Sequence, residues 1–412
     1  MPTPTTAQAM TPGSIEIRGR RLLIDGREPR PGRVVITGTQ ITVAAGRPAT
    51  STTADGADAT ATATGRVLDV GDLLVTPGMV DLHGDAFERQ VMPRPGVHFP
   101  TDLGLIDTDR QMAALGITTA AHGITASWEP GLRSLDAAEA LVTAIRRLRP
   151  ELMVDTRIHL RHEVANAAAV PRIARWIADG WIDLLALNDH LPDFIAMRAR
   201  PEKLAVAAGR SGLTTAALIA RIDQLAADRD AQWAGARGLA DAARQAGVPL
   251  LSHDDVDPAM RSANRAMGAR IAEFPLDLAT ARAAVAAGDA VMVGAPNILR
   301  GTSHAGRLDA RTAIAEGAAT LIASDYSHTA MLACPFVLAA SQRLTLGQAW
   351  HLVSQAPAQA AGLDDRGRIA DGLRADIAMI DDRDPTCPRV ALTIAAGRVV
   401  HADATGAALL CQ

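Results

Sequence analysis

Histidines and carboxylates in this chain gather at the ends of short apolar runs. His83 and Asp85 stand two apart in Val80-Asp81-Leu82-His83-Gly84-Asp85, and on extended backbone such a pair projects to one side. Gly84 between them leaves room for a ligand to approach the main chain. Arg157-Ile158-His159-Leu160-Arg161-His162-Glu163 alternates, with Arg157, His159, Arg161 and Glu163 on one face and Ile158 and Leu160 on the other. A polar face inside an apolar protein is costly unless it is paired or bound to metal. His190 ends Leu184-Leu185-Ala186-Leu187-Asn188-Asp189-His190, and His253 ends Pro249-Leu250-Leu251-Ser252-His253, followed by Asp254 and Asp255. Asp325 ends Leu321-Ile322-Ala323-Ser324-Asp325. Three imidazoles (His83, His190, His253) and three carboxylates (Asp85, Glu163, Asp325) suit zinc, manganese or iron(II) better than calcium or magnesium, which favour all-oxygen shells. A single catalytic zinc needs about three protein ligands plus water, so six groups point to two metals and a bridging carboxylate. Any one of these histidines alone reads as an ordinary buried residue; six groups at successive strand ends do not.

These groups need a frame that presents strand ends together. Eight apolar strand candidates alternate with helical stretches: Met79–His83, Ile117–His122, Asp155–Glu163, Ile182–His190, Pro249–His253, Arg270–Phe274, Ala290–Ala295 and Thr320–Asp325. Asp277 can cap a helix that Gly288 stops, Asp309 and Gly317 bracket another, and Thr345 with Gln348 has capping-box spacing. Such alternation over residues 77–365 predicts an α/β fold, a (β/α)₈ TIM barrel, whose active site lies where the strands end. Arg89–Gly116 and Pro201–Gly247 leave room for irregular elements. Short apolar runs punctuated by glycines occupy residues 15–76 and return over 366–412, so one small β-sandwich built from both ends of the chain is expected. Residues 1–14 read as a flexible tail and Ala49–Gly65, rich in Ala, Thr, Asp and Gly, as a surface loop.

Pro77-Gly78-Met79-Val80-Asp81-Leu82-His83 resembles the entry strand of the amidohydrolase superfamily, with an Asp at position 85 where many members carry a second His. The resemblance narrows toward the diphosphatases of α-D-ribose 1-methylphosphonate 5-triphosphate, metal hydrolases of phosphonate breakdown. It runs through Asp81–Glu88, Arg94-Pro95-Gly96-Val97, His159–Glu163, Ser252-His253-Asp254-Asp255, Glu273-Phe274-Pro275, Gly294–Gly306 and Ser324-Asp325-Tyr326. Gly84, Ala86-Phe87, the turn Ser327–Ala330 and the stretch after His190 depart from that pattern and leave the proposed ligands in place. The resemblance implies two divalent ions, zinc first, with manganese or iron as alternatives, held by His83, Asp85, Glu163, His190, His253 and Asp325.

Asp325 is the expected general base, since a carboxylate beside activated water can take its proton. Glu163 is the expected bridge, unless it pairs with Arg161 or Arg157. Arg300 with Gly301-Thr302-Ser303-His304-Ala305-Gly306 offers a cation, hydroxyls and amides suited to phosphate oxygens. Arg161, Asp254, Arg300, Ser303 and His304 are therefore expected to touch substrate; His122 and His328, near strand ends, are placed where they could support the ligands, with an ordinary buried role as the leading alternative. The implied reaction releases pyrophosphate from a 5-triphosphate. The same site would also serve a hydrolase or deaminase acting on a C–N bond of a cyclic amide or amidine.

Composition agrees with an enzyme and excludes other classes. Of 412 residues 48% are hydrophobic and 21% charged, which argues against disorder. The net charge is −4 without a long basic run, so no nucleic-acid or membrane surface is indicated. Aromatics make up only 3%, leaving Ala and branched aliphatics to fill the core. Three cysteines are too few and too scattered for a disulfide framework. No stretch reaches the roughly 20 apolar residues of a membrane span, and the N-terminus lacks a secretory pattern. No glycine-rich nucleotide loop or serine-nucleophile elbow competes with the site. A cytoplasmic enzyme is expected, with a small-molecule substrate and, at most, further copies of itself as partners.

Overall fold

A computed structural model describes residues 13–44, 65–94, 96–301, 307–341 and 344–412. The expected tail and surface loop lie, apart from Gly13, Ser14 and Gly65, outside the described residues. Five strands come first: β1 (Ile15–Leu22), β2 (Arg30–Thr37), β3 (Gln40–Ala44), β4 (Arg66–Asp69) and β5 (Leu74–Pro77). Eight follow: β6 (Met79–Gly84), β7 (Ile117–Ala126), β8 (Asp155–Glu163), β9 (Leu184–Asn188), β10 (Leu250–His253), β11 (Ile271–Glu273), β12 (Ala290–Gly294) and β13 (Leu321–Ala323). Three close the chain: β14 (Ile377–Asp381), β15 (Arg389–Ala395) and β16 (Arg398–Ala402).

β6 to β13 pair in parallel, each with the next in sequence, as the alternating strand–helix pattern predicts. All eight candidate strands form, with ends trimmed or extended by a few residues. Helices lie between them and bury an apolar layer that includes Ile124, Leu141, Ile145, Ile158, Leu160, Ile173, Trp176 and Leu239. Another apolar cluster takes Val80, Leu82, Ala121, Leu184, Ala186, Leu251, Ile271, Met292, Leu321 and Ala323, from every barrel strand except β8. Ile158 and Leu160 of β8 pack in the helix layer, which leaves its alternate residues His159 and Arg161 to the other side. The stretch Pro201–Gly247 holds helices Pro201–Arg210, Thr215–Ala226 and Arg229–Gln245. In the middle one Leu218, Ile222 and Leu225 recur at helical spacing, and they join Phe194, Leu204 and Trp128 in a satellite core. The capping signals hold: Asp277 Oδ1 accepts from Thr280 N at 2.7 Å, Asp309 Oδ1 accepts from Thr312 N at 2.7 Å, and Thr345 with Gln348 forms a capping box.

The two chain ends meet in one mixed sheet ordered β16-β15-β14-β5-β1-β2-β3, with β4 also pairing β1. Antiparallel β5–β14 pairing joins N-terminal to C-terminal sequence, from Leu74↔Ile380 to Pro77↔Ile377. The sheet wraps on a single core of Ile17, Leu22, Val34, Ile36, Ile41, Leu68, Val75, Ile377, Met379, Leu392 and Ile394. Gly397, at φ 77°, is needed there: a Cβ would come within 1.9 Å of Gly38 O.

Candidate active site

The first and last barrel strands meet at the rim that carries the site. Asp325 N donates to His83 O, and Asp85 N donates to Asp325 O, each at 2.9 Å. Backbone pairing therefore draws three of the expected ligands together. Below them Asp81 is fully buried: Oδ1 accepts from Ser324 N at 3.0 Å and His83 N at 3.2 Å, and Oδ2 accepts from Ser324 Oγ at 2.5 Å. Gly84 has a different reason from the expected one. A Cβ there would meet Asp81 Oδ2 at 2.9 Å, Ser324 Oγ at 3.0 Å and His328 Nε2 at 3.2 Å, so protein rather than ligand uses the space. Asp254, Phe274 and Asp325, just past β10, β11 and β13, each hold φ 54°. Three non-glycine residues in this region on one rim mark a constrained surface of the kind found at functional sites.

The histidines are oriented by carboxylates. Glu273, 0% exposed, accepts from His83 Nδ1 at 2.5 Å through Oε1 and from His253 Nδ1 at 2.6 Å through Oε2. Burial alone would raise this carboxyl, but His83, His159 and His253 outweigh it and hold it well below the usual range. Glu163 Oε1 faces His190 Nδ1 at 2.6 Å. An ionised carboxylate only accepts, so each of these histidines carries a proton on Nδ1 and turns Nε2 toward the site. Against burial, Glu163 and Asp254 raise His190 to about 10, so a metal there would displace its Nε2 proton. Such carboxylate–histidine pairs are the usual support of a metal ligand. Phe274 packs edge-on against both His83 and His253, with ring centroids 5.1 and 5.6 Å away.

The donors fit divalent ions. Ligand atoms of His83, Asp85 and Asp325 lie within 4.8 Å of one another, as do those of His190, His253 and Asp254. A third group joins His83 and His253 to Glu273, whose two oxygens are already taken by their Nδ1 protons. Nitrogen and carboxylate oxygen in equal measure match zinc, manganese or iron(II). Burial raises Asp325 to about 6, with Asp85 adding to the rise and His83 and Arg161 opposing it. Arg161, nearly buried, donates from Nη2 to His253 Nε2 at 3.0 Å. With its amide oxygen turned toward the guanidinium, Asn188 accepts from Arg161 Nε and Nη2 at 3.2 Å each. A cavity of about 220 Å³ opens on these groups, and its wall includes Arg133, Arg161, Arg307, Asn297 and Phe274. Arg307 Nη1 reaches Asp254 Oδ2 at 3.1 Å, while Arg133 grips Glu88 through two bonds of 2.9 Å and lies 3.9 Å from Asp85.

Five of the six expected ligands thus stand in the first two of these groups. Glu163 stands in neither group and meets His190 instead, with Asp254 taking the third position beside His190 and His253. Arg161 and Asp254 line the cavity; Arg300 is exposed at the end of helix Ala295–Arg300 and is not among the lining residues. Ser303 and His304 lie outside the described residues. His122 and His328 are buried beside Gly84, and burial drives His122 down to about 3. Sequence reasoning missed Glu273, Arg133 and Arg307. The signal for Glu273 was present, a lone carboxylate closing the apolar run Ile271-Ala272; an arginine in a loop gives none.

The family model described as "Amidohydrolase family" matches residues 105–401. The α-D-ribose 1-methylphosphonate 5-triphosphate diphosphatase of Escherichia coli K12 is 32% identical over 316 residues, 75% of this chain and 83% of that protein. An amidohydrolase from a Sargasso Sea environmental sample superposes with TM-score 0.60 at 17% identity, covering 95% of this chain and 93% of that one. Dihydropyrimidinase from Brevibacillus agri superposes with TM-score 0.55 at 14% identity, covering 94% and 95%. These two structural likenesses speak to the fold, while the family match reaches from the helix after β6 into β16. The chain belongs to the amidohydrolase family and is a hydrolase of that superfamily.

Proposed function

We propose that this hydrolase cleaves the triphosphate of a ribose 5-triphosphate, α-D-ribose 1-methylphosphonate 5-triphosphate in particular, releasing pyrophosphate and leaving a 5-phosphate. The observation that carries the proposal is the cavity wall: Arg133, Arg161 and Arg307 line a space that His83, Asp85 and Asp325 of one ligand group and His253 and Asp254 of the other also line. Three guanidinium groups around one small cavity suit a multiply charged phosphate chain and are more than a neutral amide needs. The name of the 32% identical relative points the same way.

Each of these two ligand groups would hold one divalent ion, zinc first, which supplies Lewis acidity at the phosphoryl oxygen and acidifies water. Asp325, raised to about 6, is unprotonated at neutral pH and takes the proton of the attacking water. Water adds to the α-phosphorus, the α–β anhydride bond breaks, and the leaving pyrophosphate keeps the bond's electron pair. Arg161 sits deepest in the wall, and Arg133 and Arg307 face the charge that develops on the leaving group.

The test is product analysis with a ribose 5-triphosphate derivative beside a panel of cyclic amides and amidines. Stoichiometric pyrophosphate is the expected result. Ammonia or a ring-opened product, with no pyrophosphate from any triphosphate, overturns the proposal and assigns the site to C–N hydrolysis.

A further inference from the structure

Glu273 touches one histidine from each ligand group. Oε1 takes the Nδ1 proton of His83, which stands with Asp85 and Asp325. Oε2 takes the Nδ1 proton of His253, which stands with His190 and Asp254. No other polar residue bridges the two histidines among the described residues. The backbone around Glu273 is equally fixed: its carbonyl accepts from Asp254 N at 2.9 Å, and Phe274 N donates to Met292 O at 3.1 Å. That pairing, with φ 54° at Phe274, aims the Phe274 ring at the same two imidazoles. The state of the outward nitrogens is consistent. His253 Nε2 accepts from Arg161, so its proton is on Nδ1, and His83 Nε2 has no hydrogen-bond partner among the described residues.

We propose that Glu273 is a shared positioning residue: by holding both Nδ1 protons it fixes His83 and His253 in the tautomer that presents Nε2 as a ligand, and so couples the assembly of the two metal positions. The inference rests on the metal reading of the site and not on the identity of the substrate. An ionised carboxylate is needed for this, because it alone can accept from two N–H groups on opposite oxygens. A glutamine of the same size has one oxygen and one NH₂. Facing an N–H donor, one of the two histidines must then move its proton to Nε2, and it ceases to be a ligand.

The experiment measures two things on wild type and Glu273→Gln: zinc affinity by competition with a chromophoric chelator, and histidine tautomers of the metal-stripped proteins by ¹⁵N NMR. Far-UV circular dichroism and Tm establish that the variant is folded. In wild type His83 and His253 should both be protonated on Nδ1, and in Glu273→Gln one of them should be protonated on Nε2. Zinc affinity at one position should fall by about 10–100-fold, the usual cost of losing an outer-sphere partner. Glu273→Asp, which keeps two acceptor oxygens, should retain both tautomers, a rescue that a simple packing role does not predict. A wild type that binds no divalent ion overturns the metal reading and this inference together. A wild type that binds, beside a folded Glu273→Gln with the same affinity and tautomers, overturns the inference alone. If Glu273→Gln does not fold, a neutral His83 or His253 with its proton on Nε2 alone in metal-stripped wild type overturns it, and Nδ1 protonation of both with rescue by Glu273→Asp supports it.

Discussion

Two partly buried aspartates at opposite ends of the barrel are driven in opposite directions. Asp155 begins β8 at the floor, where Arg157, Arg366 and Arg374 approach its carboxylate; Arg374 Nη1 is 3.1 Å away and Arg157 Nη2 3.2 Å. Burial would raise Asp155, but the three guanidinium groups win and hold it at about 2. Asp325 follows β13 at the rim, where its side chain has no hydrogen bond or ion pair among the described residues, and burial lifts it to about 6. The same side chain in the same barrel is a tie at one end and, in the proposed function, the base at the other. What separates them is how many cations the fold aims at each. A saturated carboxylate stabilises; an unsaturated one, held at φ 54°, is available for chemistry.

The contrast breaks most visibly by removing each carboxylate in turn. Asp325→Asn should lower kcat by about two to four orders of magnitude, as loss of a general base does, while Tm stays near wild type; metal content must be followed in parallel. Asp155→Asn should do the reverse. It leaves three cations without their anion and should cost about 2–4 kcal/mol of stability, under the figure for a wholly buried pair because the side chain is one-fifth exposed. Turnover per folded molecule should stay within about twofold of wild type. Equal losses of kcat in the two variants would erase the distinction.

Arg307 sharpens the rim side of the comparison. It is half-exposed and already paired with Asp254, so Arg307→Ala should raise KM for a triphosphate about tenfold, the scale of one charged hydrogen bond, and leave kcat nearly intact. Steady-state kinetics at fixed ionic strength would show it, and an unchanged KM would remove Arg307 from the phosphate contacts.

The smallest effect concerns burial without a partner. His162 on β8 is fully buried with neither ring nitrogen hydrogen-bonded by protein, and burial lowers it to about 4. Above about pH 6.5 it is neutral in both folded and unfolded chains and adds no pH dependence. As pH falls from 6.5 toward 4, the unfolded chain takes up a proton that the folded one refuses, so stability declines across that window. His162→Phe removes this share, at most about 1.4 kcal/mol per pH unit. Tm measured between pH 7.5 and 5 should fall less steeply in the variant, and parallel curves would contradict the assignment.

How much of this was legible in the sequence depended on periodicity. All eight barrel strands, and His83, Asp85, His253 and Asp325 at their ends, follow from apolar runs that stop at a polar residue. The sequence of β8 also shows its polar face directly. The partner of Glu163 was not legible: Arg157 and Arg161 share its strand face, yet His190, two residues past the neighbouring strand, meets it. Arg133 and Arg307 reach the cavity from loops, where position depends on tertiary packing rather than on any period. Glu273 was quoted as part of a motif without a role, because its two partners lie 190 and 20 residues away. Arg300 read as a phosphate ligand from its neighbours in sequence; it closes a helix, is exposed and is not among the residues that line the cavity.

The central claim is that the rim groups hold divalent metal for hydrolysis. Metal content by elemental analysis and pyrophosphate release, taken on one preparation before chelation, after exhaustive chelation and after restoring zinc, test it most directly. The account predicts about two ions per chain, loss of pyrophosphate release when they are removed and recovery when they return. Full-rate turnover by metal-free protein would contradict it.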